Sequence, residues 1–256
     1  MRGEVWTHFN MNTTSALANV RVVLSHTSHP GNIGASARAM RTMGLRALYL
    51  INPKLFPHAD ATAMAAGADE ILGHSIVCAS LDEALVNTTF VVGLTARRRD
   101  LSHPMVSLRE AAAQMIGETA NGQVAVLFGT EMSGLSNGEL DRCHLLANIA
   151  ADDEFSSLNL AAAVQVTAYE LRQATLAEGQ APLSTVFPAA SFEQVEGFYQ
   201  HLEQLLYESK FLDPAQPKRL MRRLRRLFAR ARLEKEEVNI LRGILHAVHE
   251  YRAKKG

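Results

Sequence analysis

The chain has 256 residues, 47% of them apolar, and its 26 lysines and arginines balance 26 aspartates and glutamates. That is enough apolar material for one large α/β domain, or a domain with a small appendage, and it excludes wholesale disorder. No apolar run reaches membrane-spanning length and no charged-then-apolar segment opens the chain. Cys78 and Cys143 lack metal or disulfide spacing, so ordinary thiols of a cytoplasmic protein are expected.

Residues 1–17 show no periodicity and read as a flexible leader that contains the single tryptophan, Trp6, and a second candidate start, Met11. Apolar runs of strand length then follow at Val20–Leu24, Ala47–Ile51, Ser75–Cys78, Phe90–Leu94, Val124–Phe128 and Leu145–Ile149. Helical patterns lie between them, at Ile33–Met43, Ala61–Ala66, Leu81–Val86, Ser107–Ile116 and Asn137–Arg142, and a long Ala-rich helix at Leu158–Leu176 closes the series. Strands alternating with helices predict an α/β fold with a largely parallel sheet over residues 18–176. The strands read as continuous apolar runs, as they do when both faces of a sheet are covered.

Residues 177–190, with Gly179, Pro182 and Pro188, read as a linker. A small all-α unit is expected over 191–256. Ser191 and Gln194 have capping-box spacing ahead of Phe192, Val195, Phe198, Tyr199, Leu202, Leu205 and Leu206. Asp213-Pro214 reads as the start of a second helix. In it Leu220, Leu224, Leu227, Phe228 and Ala231 form one stripe, and Arg219, Arg222, Arg223, Arg226 and Arg230 share the other side. Arg225 and Arg232 flank the stripe and are candidates for pairing with acids. A last helix carries Val238, Leu241, Ile244, Leu245, Val248 and Tyr251. From Ala190 onward fourteen lysines and arginines face nine acids, a net of +5, which leaves −5 on the rest. A basic tail on an acidic body points to a polyanionic partner.

Three segments carry the chemistry. The first, His29-Pro30-Gly31-Asn32-Ile33-Gly34-Ala35-Ser36-Ala37-Arg38, is a small-residue loop running from a strand into a helix, with Arg38 about a turn along on the face of Gly34. The second, Leu127-Phe128-Gly129-Thr130-Glu131-Met132-Ser133-Gly134-Leu135, puts Gly129 and Glu131 just beyond a strand, at the mouth where open α/β sheets bind ligands. The third, Ser156-Ser157-Leu158-Asn159-Leu160, opens the last helix of the body. Small polar side chains and free N–H groups there suit an adenosine or a phosphate, and an ordinary N-cap at Ser156 or Ser157 would use the same residues. Neither a GxGxxG fingerprint nor a phosphate-loop lysine is present, which disfavours a nucleotide-dependent enzyme of the ordinary doubly wound kind. His26, His29, His58, His74, His103 and His144 are scattered, and no metal is expected.

As an ordered set, these segments resemble the SPOUT methyltransferases, in the branch that methylates ribose 2′-hydroxyls of RNA. Thr27-Ser28-His29-Pro30-Gly31-Asn32, Thr95-Ala96-Arg97-Arg98-Arg99, Leu224–Arg232 and Ile240–Leu245 extend the likeness over about residues 20–250. It is closest to the bacterial tRNA methyltransferases that act on cytidine or uridine at nucleotide 32 of the anticodon loop. The resemblance implies a deep trefoil knot, a homodimer with active sites at the dimer interface, and S-adenosylmethionine bent into the knot. Carried over, its contacts come from Leu94, Thr95, Ala96, Gly129, Glu131, Ile149, Ser157 and Leu158. Arg38 is the matched catalytic residue. A guanidinium stays protonated, so its physical role is to hold a phosphate and stabilise alkoxide charge. Asn32 and Ser157 would position the ribose or the arginine, Asn159 would support the third segment, and Glu131 would orient the ribose or the cofactor. Arg97, Arg98 and Arg99 and the basic helix face would meet tRNA phosphates. The Ala150–Phe155 stretch departs from the Asn-Pro-Glu-Tyr form of relatives, so the resemblance carries no aromatic hydroxyl role over to Phe155. A ribosomal-RNA enzyme of the same fold and a non-catalytic knotted RNA-binding protein are the competing readings.

Overall fold

Six of the seven strands lie where the apolar runs place them. The computed structural model describes residues 16–96, 105–152, 154–177, 187–215 and 219–253. The strands are β1 (Val20–Ser25), β2 (Ala47–Ile51), β3 (Ile76–Cys78), β4 (Thr88–Leu94), β5 (Met105–Ser107), β6 (Gln123–Phe128) and β7 (Leu145–Asn148). They form one sheet in the order β3-β2-β1-β6-β4-β7-β5, with every pairing parallel. The helices of the body are α1 (Pro30–Met43), α2 (Ala59–Ala65), α3 (Asp69–Gly73), α4 (Leu81–Leu85), α5 (Leu108–Glu118), α6 (Asn137–Leu140) and α7 (Leu160–Ala177).

Both sheet faces are buried, which is why the strands lack alternation. Val20, Val22 and Leu24 of β1 and Val124, Val126 and Phe128 of β6 join one core cluster, together with residues of α1, α5 and α7. Val23, Ala125 and Leu127 point the other way into a second cluster with Leu85, Leu140 and Cys143. The registers Leu24↔Phe128 and Gly93↔Leu127 bring the C-terminal ends of β1, β6 and β4 to one edge. The first two chemical segments leave the sheet there, and the third follows β7, whose Ala147 pairs with Leu94 at the end of β4.

The structure corrects several boundaries. Leu17, assigned to the leader, is 1% exposed and belongs to the core, while residues 1–15, with Trp6 and Met11, lie outside the described residues. The edge strand β5 and the short α3 were not expected, since three to five residues carry too little periodicity to register. Helix α1 already begins at Pro30, so Gly31, Asn32 and Gly34 sit in its first turns rather than in a loop. A Cβ on Gly34 would stand 1.9 Å from the Ala61 carbonyl oxygen. The glycine therefore serves the close approach of α1 and α2, not of a ligand.

Beyond the body lie α8 (Phe192–Glu208), α9 (Leu220–Ala231) and α10 (Lys235–Ala253). Ser191 and Gln194 make the expected capping box on α8. Asp213-Pro214 does not start α9. The Asp213 carboxylate accepts from Ala215 N at 2.9 Å, closing a turn, and α9 begins at Leu220. Of the α9 stripe, Phe228 packs edge-on against Phe198 at 4.9 Å, whereas Leu227 is 48% exposed. Residues 178–186 of the expected linker lie outside the described residues, but its end is structured: Ala190 N donates to Leu233 O and Lys235 N to Pro188 O, each at 3.0 Å. Phe192 is buried in the second cluster under the sheet. Both arginines suspected of ion pairing do pair, Arg225 with Glu196 and Arg232 with Glu118.

Candidate active site

The turn after β6 is built by small residues. Thr130 and Gly134 form an isolated bridge, Gly134 N donates to Thr130 O at 2.9 Å, and Gly134 has φ +68. Gly129 lies so close beneath this turn that a Cβ on it would meet Gly134 C at 2.1 Å and Leu135 N at 2.2 Å. Folded this way, the turn projects Glu131 and Met132 outward.

The Glu131 carboxylate then reaches across to the first segment. It accepts from Ser28 N at 3.1 Å, Ser28 Oγ at 3.0 Å, His29 N at 3.3 Å and Asn32 Nδ2 at 3.0 Å. Burial alone would raise its pKa, but the bonds from Asn32 and from backbone N–H groups outweigh that and hold the carboxyl below its usual range. The chain of contacts continues: Asn159 Nδ2 donates to Asn32 Oδ1 at 3.0 Å, while Asn159 Oδ1 accepts from Ala161 N at 2.9 Å and caps α7. Asn159, not Ser156 or Ser157, is therefore the cap, which leaves the two serines free to line a cleft. Ser28 Oγ was not foreseen, since nothing in a Thr-Ser-His-Pro string marks one hydroxyl as a carboxylate donor.

A carboxylate held below its usual pKa stabilises the fold above the unfolded glutamate value, about 4.3, and that contribution is lost as pH falls through the folded value. The unfolding midpoint of the wild type should thus fall more steeply below about pH 4 than that of Glu131→Gln, as calorimetry across pH would show. Parallel curves would detach the carboxylate from stability.

Leu94, Thr95, Ala96, Gly129, Glu131, Ile149, Ser157 and Leu158 all line one cleft of about 240 Å³, shared with Phe128, Thr130–Leu135, Ser156, Leu160 and Ala163. Every residue matched to cofactor binding is thus brought together. Leu94, Leu135, Ile149 and Leu160 give it apolar wall, and Thr95, Thr130, Ser156 and Ser157 give small polar groups. Asn32 joins the site through Glu131 and does not line the cleft.

Arg38 does not line it either. It lies about 9 Å along α1 from Asn32, exposed, and makes no ion pair or hydrogen bond among the described residues. The face shared with Gly34 divides: α2, seven residues long, covers Gly34 and leaves Arg38, a turn further on, in solvent. Arg97, Arg98 and Arg99 lie outside the described residues. On α9, Arg219, Arg223 and Arg230 are exposed. Arg222, Arg223, Arg226 and Arg230 border one open groove, yet Arg222 is committed to Asp141, its Nε 2.8 Å from Oδ2, and so helps hold α9 on the body. Among the described residues no group of three His, Cys, Asp or Glu is placed to hold a metal ion, and no helix is long and apolar enough to cross a membrane.

Residues 19–169 match the model of the SpoU rRNA Methylase family, and residues 193–256 match the model of the tRNA methyltransferase TrmJ C-terminal domain. The chain is 47% identical over 243 residues to the tRNA (cytidine/uridine-2′-O-)-methyltransferase TrmJ of Cronobacter sakazakii, covering 93% of this chain and 99% of that one. It is 50% identical over 236 residues to the protein of the same name from Sodalis glossinidius, covering 91% and 92%. Among solved structures, TrmJ from Z. mobilis superposes with a TM-score of 0.80 at 31% identity, covering 90% of this chain and 98% of that one. With both family segments in order and close to half of its residues shared across the length of such relatives, the chain belongs to the TrmJ branch of the SpoU methylase family.

Proposed function

We propose that this protein transfers the methyl group of S-adenosylmethionine to the ribose 2′-hydroxyl of cytidine or uridine at nucleotide 32 of the tRNA anticodon loop. The observation that carries it is the pair of side-chain contacts, Glu131–Asn32 and Asn32–Asn159, that ties all three segments beside the cleft. The names of the relatives supply the acceptor, a pyrimidine 2′-oxygen of tRNA. The cleft suits the cofactor: its apolar walls fit an adenine, and the turn folded tightly over Gly129 sets Thr130–Leu135 along one side of it.

When bound, S-adenosylmethionine supplies a methyl already activated on sulfur, so the chain's task is alignment and charge. Leu94–Ala96, Gly129–Leu135 and Ser156–Leu158 would hold the cofactor. Glu131 spends its acceptor capacity on Ser28, His29 and Asn32, so it positions the first segment rather than abstracting a proton. Asn32, fixed on both sides, orients the start of α1. Arg38, charged and without a partner among the described residues, is free to meet a phosphate and the developing 2′-alkoxide.

Since Arg38 stands outside the cleft, a site that combines the two is best completed by a second copy. A homodimer with active sites between protomers, and the trefoil knot of this fold, complete the reading. The sheet order, with β6 between β1 and β4 and β7 between β4 and β5, suits such a threaded chain. The helices α8–α10 would form a tRNA-binding unit docked on the body, and two unpaired buried thiols suit the cytoplasm.

Purified protein, bulk tRNA and methyl-labelled S-adenosylmethionine, followed by nucleoside mass spectrometry, test the whole. Cm or Um mapping to nucleotide 32 is expected; label only in ribosomal RNA would move the substrate, and no transfer would refute the activity. For the basic face, reversing Arg223 and Arg230 to Glu should weaken tRNA binding and lower its salt slope by about one for each phosphate no longer held. Arg222→Glu should instead lower the melting temperature, because it leaves Asp141 facing a like charge. Unchanged tRNA affinity in the double reversal would reduce that face to solvated surface.

A further inference from the structure

The two most exposed large apolar side chains among the described residues are Met132, at 93%, and Phe155, at 81%. Both belong to the loops that close the cleft. Met132 lines it directly at the tip of the turn after β6, and Phe155 precedes Ser156, which lines it on the other loop. Leaving an aromatic ring in water forgoes the burial that aromatic side chains usually supply. The backbone beside the ring is hydrogen-bonded. Phe155 N donates to Asp152 Oδ1 at 3.1 Å and to Asp152 O at 3.2 Å, and Glu154 N donates to the same Oδ1 at 2.9 Å. These bonds tie the backbone of Glu154 and Phe155 to Asp152, and the ring stands exposed beside them.

We propose that Phe155 is the stacking platform for the acceptor pyrimidine, with Met132 as the apolar contact on the other lip. The proposal rests on the acceptor reading above and names how the base is held. Bases of single-stranded RNA loops are read by splaying them onto aromatic faces. A stacked base must lie at the mouth of the cleft for its 2′-oxygen to reach the methyl, and that mouth is where both side chains stand. Phenylalanine has no donor or acceptor, so it reads a ring's face and not its edge. Cytosine and uracil differ only on that edge, in the 4-amino or 4-oxo group and in whether N3 carries a proton. A platform of this kind therefore accepts either base, as the names of the relatives require of them. A protomer contact is the competing use of the two side chains, and the sedimentation mass of Phe155→Ala tells the two apart.

The test uses the full chain and unmodified tRNA. Phe155→Ala should raise the tRNA KM by about 5- to 150-fold and leave S-adenosylmethionine affinity and melting temperature unchanged. Phe155→Tyr and Phe155→Trp should restore it, and the ratio of Cm to Um should not move in any variant. Met132→Ala should have the smaller effect. A tRNA KM within twofold of wild type in Phe155→Ala overturns the platform. So does a fall in the sedimentation mass, which would make the ring a protomer contact. Wild-type protein assayed alongside separates the two levels: if it transfers no methyl, the acceptor reading has failed as well.

Discussion

Replacing Arg38 with alanine is expected to slow methyl transfer by about 10²–10³-fold while leaving S-adenosylmethionine affinity and the fold intact. Three observations support the combination. The side chain is exposed, it has no hydrogen bond or ion pair to lose among the described residues, and it does not line the cleft. Surface substitutions of that kind rarely change stability by more than about 0.5 kcal/mol. Whatever Arg38 contributes is thus made only with the acceptor present, and interactions made in the transition state alone appear in the rate. Arg38→Lys keeps the charge but not the planar fork that grips phosphate, so it should recover part of the loss. Single-turnover transfer to tRNA, with calorimetric titration of the cofactor beside it, separates the effects. Transfer within a few-fold of wild type would remove Arg38 from the reaction.

Gly129→Ala should have the opposite profile, damaging both the fold and the cofactor site. The added Cβ would meet Gly134 C, Leu135 N and Gly134 O at 2.1–2.3 Å, all of them backbone atoms that no rotamer change can move. Relief requires opening the turn that carries Glu131, and with it the bonds to Ser28, His29 and Asn32. Overpacking of this kind costs about 1–3 kcal/mol and occasionally more, so a lower melting temperature should accompany loss of S-adenosylmethionine binding. Gly138, whose Cβ would meet nothing within 4 Å, supplies the control, and Gly138→Ala should be neutral. A Gly129→Ala protein with wild-type stability and cofactor affinity would show that the turn yields freely.

The body of the fold is legible because its strands are apolar runs between turn signals, a pattern that survives without knowledge of any contact. Ala47–Ile51 falls where the pattern puts it, to the residue. What the pattern hides is either short, as with Met105–Ser107, or decided by a distant partner. Gly34 shows the second case: a glycine near a candidate ligand loop suggests a ligand, and only the Ala61 carbonyl reveals that a helix takes the space. Arg222 shows it again. On its helix it is one of five like arginines, and Asp141, 81 residues away, is what sets it apart. The cleft residues fare better because they sit in contiguous strings whose order is itself informative. In the sequence Phe155 stands out only for the hydroxyl it lacks, and its exposure gives it a positive use.

Asn32 holds its two partners across 99 and 127 residues of chain. Contacts of such range close only after long loops have been ordered, at an entropic cost that local contacts do not carry. The first segment is made early in synthesis, has no carboxylate to bind until Glu131 has left the ribosome, and lacks its second partner until Asn159 follows. A partly made chain, or one that lacks the β7–α7 end of the body, holds every residue of the first two segments and no finished site. The set of contacts around this asparagine is thus complete only once the last helix of the body has arrived.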